Sequence, residues 1–223
     1  MKRHIITTAD GSKTIQIEDW NEQYHSIHGA VQEAQHVFIK NGLHVVTTSE
    51  IHILEIGFGT GLNAFITFLE AEKLGLTINY VGVEAYPVLE EELLQLNYPS
   101  ILNAESKADY FWQMHGIVWE VTTEVSTNFK LTKQQKFFDE IVDVEAYHLI
   151  YFDAFGARVQ PELWDEAMFV SMYKALKKDG VLVTYAAKGS VRRAMQTAGF
   201  KVERLPGPPG KREMLRAAKH STK

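Results

Sequence analysis

The segment Ile51-His52-Ile53-Leu54-Glu55-Ile56-Gly57-Phe58-Gly59-Thr60-Gly61-Leu62-Asn63-Ala64-Phe65 joins a short apolar run, three glycines at every second position and the first turn of a helical pattern. The run at 51–56 reads as a strand and the residues after Gly61 as a helix to Leu74, with Ala64, Phe65, Phe68, Leu69 and Ala71 on or near one face. Ile78 to Glu84 forms the next strand. A strand, a glycine loop, a helix and a second strand make a βαβ unit, whose ligand is expected beyond the carboxyl ends of the strands.

C-terminal to this unit, the pattern predicts helices at Pro87–Leu96, around Tyr110–Met114 and at 134–144, and strands at 117–122, 127–132 and 148–153. A helix at Pro161–Leu176 follows, then a turn at Lys178-Asp179-Gly180 and a strand at Val181–Tyr185. A short helix at Val191–Ala198 closes on Gly199, and two β runs, 200–205 and 213–217, flank Pro206–Gly210. On the N-terminal side, two β-branched runs, Ile5–Thr8 and Thr14–Ile17, flank Asp10-Gly11 and predict a hairpin, and residues 29–40 predict a helix. The expected fold class is Rossmann-like α/β, a mostly parallel sheet with helices on both faces. Residues 1–48 are expected as a hairpin-and-helix extension packed on a catalytic domain of residues 49–223.

The glycine loop needs a ligand whose charge fits it. Dinucleotide sites use Gly-x-Gly-x-x-Gly, with a pyrophosphate on the helix N-terminus. Here the spacing is Gly-x-Gly-x-Gly, and Glu55 stands two residues before Gly57. A carboxylate there suits a cation and repels a pyrophosphate. S-adenosylmethionine carries an ammonium and a sulfonium and no phosphate, so it is the expected cofactor. Its expected contacts are Glu55, Gly57, Phe58, Gly59, Thr60, Gly61, Asn63, Glu84 and Asp153. Glu84, at the end of the next strand, is placed to accept both ribose hydroxyls, a device that nicotinamide sites share.

Asp153-Ala154-Phe155 ends a strand expected beside the first one, so Asp153 borders the donor and faces its methyl group. An amine acceptor must lose its charge before it attacks, and a carboxylate can take its proton or hold its N–H. Asp153 is therefore the expected catalytic residue, with a helix cap or a structural strand-end role as the alternative. Phe155 follows it on the loop, is expected in the catalytic set with Asp153, and is the best stacking candidate among Tyr151, Phe152, Phe155 and Trp164, although such aromatics are more often core. His25 and His28 lie close together, but nothing else of recognisable spacing completes a metal site, and no metal is expected.

Bulk properties narrow the class. The chain has 223 residues, 45% of them hydrophobic and 23% charged, which is ordinary globular composition. Cysteine is absent, which excludes disulfides, thiolate metal sites and cysteine nucleophiles. No apolar run reaches the roughly 18 residues of a membrane span, and the N-terminal residues lack a signal-peptide pattern; a cytoplasmic protein is expected. Residues 188–223 hold ten Lys/Arg against two acids, a net of +8, which leaves −13 for the rest of a chain whose total is −5. A basic end on an acidic body can steer a polyanion, though charge runs are often only solvated faces.

Several motifs together resemble the MnmC methyltransferase domain and its stand-alone MnmD relatives. They are Trp20-Asn21-Glu22-Gln23-Tyr24-His25-Ser26, Gln32 to Phe38, the Glu55–Asn63 loop, Val83-Glu84-Ala85-Tyr86-Pro87, Asp153-Ala154-Phe155 with Pro161-Glu162-Leu163-Trp164, and Gly199-Phe200 with Gly210-Lys211-Arg212-Glu213-Met214-Leu215. The glycine loop fits many methyltransferases; the last two groups are far more specific. The resemblance implies methylation of the aminomethyl nitrogen of 5-aminomethyl-(2-thio)uridine at the tRNA wobble position. The partner it implies is the tRNA anticodon loop, with the base splayed out and Tyr24, Arg192, Arg193, Lys211 and Arg212 as substrate contacts. Bifunctional relatives carry a following FAD-dependent oxidoreductase domain; this chain stops at Lys223, so a separate enzyme is expected to supply the aminomethyl substrate. Gly156-Ala157-Arg158 stands where relatives often have a proline, and no acid is found around Leu131–Gln134, where relatives place one near the adenine. The competing readings are a small-molecule amine N-methyltransferase and a non-catalytic nucleoside- or RNA-binding module on the same fold.

Overall fold

The computed structural model describes residues 2–220. Its N-terminal strands β1 (Arg3–Thr7) and β2 (Lys13–Ile17) pair antiparallel from Arg3↔Ile17 to Thr7↔Lys13, and β3 (Glu22–Gln23) adds a short third strand. The Asp10 side chain organises the turn. Its Oδ1 accepts from the Ser12 amide at 3.0 Å and the Thr8 hydroxyl at 2.8 Å. Its Oδ2 accepts from the Gln32 amide at 3.0 Å, which ties the hairpin to α1 (Ala30–Ala34). The helical path continues as a π-helical stretch, Gln35–Lys40, that buries Val37, Phe38 and Ile39.

The chain then builds an eight-stranded sheet from β4 (Glu50–Ile56), β5 (Thr77–Val83), β6 (Thr123–Ser126), β7 (Phe129–Gln134), β8 (Tyr147–Phe152), β9 (Leu176–Thr184), β10 (Lys201–Pro206) and β11 (Glu213–Ala218). The order is β10-β11-β9-β8-β4-β5-β7-β6. The five central strands are parallel and both edges antiparallel, so the mostly parallel α/β sheet read from sequence is what forms. Side chains alternate across it with period two. Ile53, Leu149 and Tyr151 point into a core with Phe38, Phe65 and Phe111. Leu54, Ile150 and Phe152 point into the opposite core with Phe169, Met172 and Met195. The first core receives α1, α2 (Leu62–Leu74) and α5 (Ala108–Gly116); the second receives α6 (Glu166–Ala175) and α7 (Gly189–Thr197). Two short helices, α3 (Glu90–Leu93) and α4 (Tyr98–Ile101), lie between β5 and α5. From β4 the chain runs outward through β5 and β7, then returns to place β8 on the other side of β4. That reversal opens a crevice at the carboxyl ends of β4 and β8.

Several expected elements differ. The helix expected at 134–144 does not form; only a 3-10 turn, Phe138–Glu140, is present. Val142 and Val144 are 83% and 70% exposed, so their apolar spacing meets no core, and β-branched residues are poor helix formers without one. The strands expected at 117–122 and 127–132 lie later, at 123–126 and 129–134. The helix expected at 87–96 shrinks to α3. The helix expected at 161–176 is divided: a 3-10 turn, Pro161–Trp164, precedes α6, which Asp165 caps by accepting the Met168 amide at 2.9 Å. The expected turn at 178–180 is absorbed into β9 as an irregularity, with Asp179 at a φ of 61°.

Candidate functional site

A cleft of about 650 Å³ opens at the carboxyl ends of β4, β5 and β8, under the N-terminal sheet. Gly57, Phe58, Gly59, Leu62 and Asn63 form its floor, Glu84 to Tyr86 one side and Asp153 to Phe155 the other. At Gly57 the φ is +90°, and a Cβ would lie 2.9 Å from the Asp153 carbonyl oxygen. Only glycine lets the two strand ends approach this closely. Glu84 turns back over the loop: its Oε2 accepts from the Gly59 amide at 3.0 Å and its Oε1 from the Tyr86 amide at 2.9 Å. Burial pushes the Glu84 carboxyl up, against these hydrogen bonds and the Arg3 charge.

Not every residue expected at the donor reaches it. Glu55 is 0% exposed and lies outside the cleft lining. Its Oε1 accepts from Asn63 Nδ2 at 2.9 Å and its Oε2 from the Tyr80 hydroxyl at 2.9 Å. The expected direct grip of Glu55 on a cation is therefore corrected: Asn63 covers it, and it acts on the cleft through Asn63. Thr60 and Gly61 also turn away. The Thr60 hydroxyl accepts from the Tyr98 hydroxyl at 3.0 Å, its carbonyl contacts His115 Nε2 at 3.1 Å, and Gly61 packs under the His115 ring.

Asn63 links the two sides of the floor. Its Nδ2 donates to Glu55 and also to Asp153 Oδ2 at 2.8 Å. Its Oδ1 is buried with no partner. An orphan acceptor is costly unless a ligand satisfies it. Asp153 sits above Asn63, partly exposed through the cleft. Burial, then repulsion from Glu33, pushes its carboxyl well above the ordinary aspartate range, against the Asn63 hydrogen bond and the Lys211 charge. Phe155 stands edge-on to Trp20 (5.5 Å between centroids) and Tyr24 (5.0 Å), and Tyr24 closes over Gly59. Trp164, Tyr151 and Phe152 are core. Trp164 also donates its indole N–H to the Phe155 carbonyl at 2.8 Å, which holds the loop that carries Asp153.

The cleft is acidic. Glu84, Asp139, Asp153, Glu162 and Asp165 line it against Arg3, and Arg3 is paired with Glu92 at 3.3 Å. Such a surface suits a cationic ligand and opposes a pyrophosphate. Glu84 fits a ribose diol, and the orphan Asn63 Oδ1 fits an ammonium donor. The residues present thus match S-adenosylmethionine on charge and on hydrogen-bonding capacity. Arg3, Trp20, Phe137, Phe138 and Asp139 belong to this lining and were missed as site residues from sequence. Asp139 lies in the 3-10 turn that follows β7, and the period-3.6 spacing of 134–144 hid it inside an expected helix. His25 also lines the cleft, but its Nδ1 is committed to Thr14 Oγ1 at 2.9 Å, and burial depresses its pKa to about 4. Among the described residues no group of three or more His, Asp or Glu is arranged to hold a metal, and no helix is long and apolar enough to cross a membrane.

The basic residues divide. A second groove of about 530 Å³ lies across the Gly156–Arg158 loop from the cleft, lined by Arg158, Lys188, Lys211 and Arg212 with Glu22 and Glu213. Arg192 and Arg193, on α7, are not among its lining. Lys211 points inward to Glu33 at 2.5 Å.

The profile of an S-adenosyl-L-methionine-dependent methyltransferase family matches residues 107–220, half of the sequence. The chain belongs to this family. Its cofactor is S-adenosylmethionine, and it is a methyltransferase. The bifunctional protein MnmC of Aromatoleum aromaticum, named for tRNA 5-methylaminomethyl-2-thiouridine biosynthesis, is 30% identical over 210 residues, covering 88% of this chain and 32% of the relative. The MnmC of Polaromonas naphthalenivorans is 27% identical over 214 residues with the same coverage. The chain thus spans about a third of the length of these relatives, and the resemblance to the MnmC methyltransferase domain read from sequence stands. The crystal structure of MnmC2 from Aquifex aeolicus superimposes with a TM-score of 0.81 at 25% identity, covering 99% of this chain and 72% of that one. Spermidine synthase from Thermotoga maritima (TM-score 0.57, 12% identity, 100% and 73% covered) shares the fold.

Proposed function

We propose that the chain methylates the aminomethyl nitrogen of 5-aminomethyl-(2-thio)uridine at the wobble position of tRNA, in the cytoplasm. The observation that carries this reading is Asp153, a carboxylate at the cleft with its proton affinity raised by burial, held by Asn63 beside the glycine loop. The names of the MnmC relatives supply the nucleoside.

When bound, the donor supplies a methyl carbon activated by a sulfonium. Glu84 would hold the ribose hydroxyls, and Asn63 Oδ1 would hold the ammonium. An alkylammonium of the lysine class keeps its proton at neutral pH, so it enters as a cation that the acidic cleft favours. Asp153 takes one proton from it, which frees the nitrogen lone pair. The donor would supply its methyl carbon to that lone pair with its sulfur as leaving group, so the product would be a secondary ammonium. Phe155, flanked by Trp20 and Tyr24, offers a ring for the splayed base, and the cationic groove beyond the loop meets the backbone phosphates.

The test is transfer of labelled methyl from the donor to tRNA bearing 5-aminomethyluridine, read by nucleoside mass spectrometry. Label in 5-methylaminomethyluridine is expected. Label in free amines but not in that tRNA points to the small-amine reading; donor binding without turnover on any tRNA pool points to the non-catalytic module.

A further inference from the structure

We propose that Glu33 and Lys211, together with Tyr185, are positioning residues that hold the Asp153 loop and fix the charge Asp153 faces. The inference rests on reading Asp153 as the group that meets the acceptor amine.

Three segments distant in sequence converge behind that loop. Glu33, on α1, is 5% exposed. Its Oε1 accepts from the Ser26 amide at 3.1 Å and its Oε2 from Lys211 Nζ at 2.5 Å. The Lys211 ammonium also sits 3.8 Å from the centroid of the Tyr185 ring. Tyr185, just after β9, donates its hydroxyl to the Ala154 carbonyl at 2.8 Å, one residue from Asp153. The turn between β10 and β11 is shaped for this inward reach. Gly210 has a φ of +81°, and a Cβ there would overlap the His28 ring at 2.1 Å, so the turn presses against the N-terminal segment and delivers Lys211 beneath it. A lysine that served only as a phosphate contact would need neither the buried glutamate nor the aromatic ring.

The pair also places opposite charges on either side of the Asp153 balance set by burial and the Asn63 hydrogen bond. The titratable and charged groups around Asp153 are Glu33 from α1, Glu55 from β4, Tyr80 from β5, Tyr185 and Lys211, and Asn63 of α2 supplies a hydrogen bond. Lys211 is the single cation in that set, and Glu33 is the strongest like charge acting on Asp153. The two members therefore push the Asp153 proton in opposite directions. Removing Glu33's charge makes Asp153 a weaker base, and removing Lys211's makes it a stronger one.

The test titrates the Asp153 carboxyl carbon by 13C NMR in the full-length, donor-free protein, its resonance assigned by its loss in Asp153→Asn. Glu33→Gln is expected to lower the midpoint by about one pH unit and Lys211→Met to raise it by about as much. Lys211→Arg should restore the parent value. The acid limb of the kcat–pH profile should follow the same order. Midpoints that stay put, or that move together in both variants as general loosening would make them, overturn the proposal. If Lys211→Met does not fold, Glu33→Gln decides alone, since its amide keeps the shape of the side chain. Because the titration needs no substrate, shifted midpoints with no methylation of tRNA would refute only the substrate reading. Methylation of tRNA with unshifted midpoints would refute only this one.

Discussion

Asp153→Asn separates proton removal from everything else the cleft does. The substitution is isosteric, and the new amide oxygen still accepts from Asn63 Nδ2 across the 2.8 Å contact. Glu84, the Gly57–Gly59 backbone and the Phe155–Trp20–Tyr24 cluster are untouched. What is lost is a basic oxygen at the cleft, and a positioned general base contributes about 10²–10⁴-fold, roughly 3–5 kcal/mol of barrier. The expected kcat therefore falls by that factor, while donor affinity by calorimetry changes by less than about threefold, under ~1 kcal/mol. The pH dependence adds a second readout. Without Asp153 the amine must reach the site already neutral, so the residual rate should rise about tenfold per pH unit below the amine's own pKa. The assay is single-turnover methyl transfer at saturating donor between pH 6 and 9. A variant that keeps more than a tenth of the parent rate, or whose donor affinity falls as far as its rate, would refute the assignment of Asp153 as the base.

Glu84→Gln should weaken donor binding by about 10–100-fold, the loss of charge-assisted hydrogen bonds of roughly 1.5–3 kcal/mol, with a smaller change in kcat; calorimetry checks it. Replacing Lys188 and Arg212, which line the second groove and make no ion pair among the described residues, should weaken RNA binding and flatten its salt dependence by about 1.4 in log–log slope, at roughly 0.7 per single-strand phosphate; an unchanged slope would place the phosphates elsewhere. The donor-free protein should lose stability as pH rises. Burial holds Asp153, Glu55 and Glu84 above their unfolded values, so the unfolded state binds fewer protons than the native one above pH 4, and stability present at low pH drains away as pH climbs through the folded values. Asp153→Asn should remove part of that slope and stabilise the donor-free protein by about 1 kcal/mol, measured by urea melts at pH 5 and 8.

The sequence by itself determined the elements whose burial follows local spacing. The hairpin around Asp10-Gly11, the strand–glycine loop–helix at 50–74, the strands at 147–152 and 213–218 and the helix at 189–197 all lie within a few residues of their expected places. Gly57, Glu84 and Asp153 were legible because each sits where a strand ends, and a strand end in this topology faces the crevice. The tertiary structure decided which polar side chains that crevice exposes. Glu55 is two residues from Gly57, yet Asn63 and Tyr80 cover it. Lys211 carries the same charge as Arg212, yet Glu33, 178 positions away in the chain, draws it inward. Asp139 enters the lining because residues 134–144 do not coil into the expected helix: Ile141 reaches the core, but Val142 and Val144 stay in solvent. Spacing along a chain reports which face of one element is apolar. Whether a charged group meets solvent, a ligand or another buried charge depends on what a distant segment lays over it, and no local pattern carries that information.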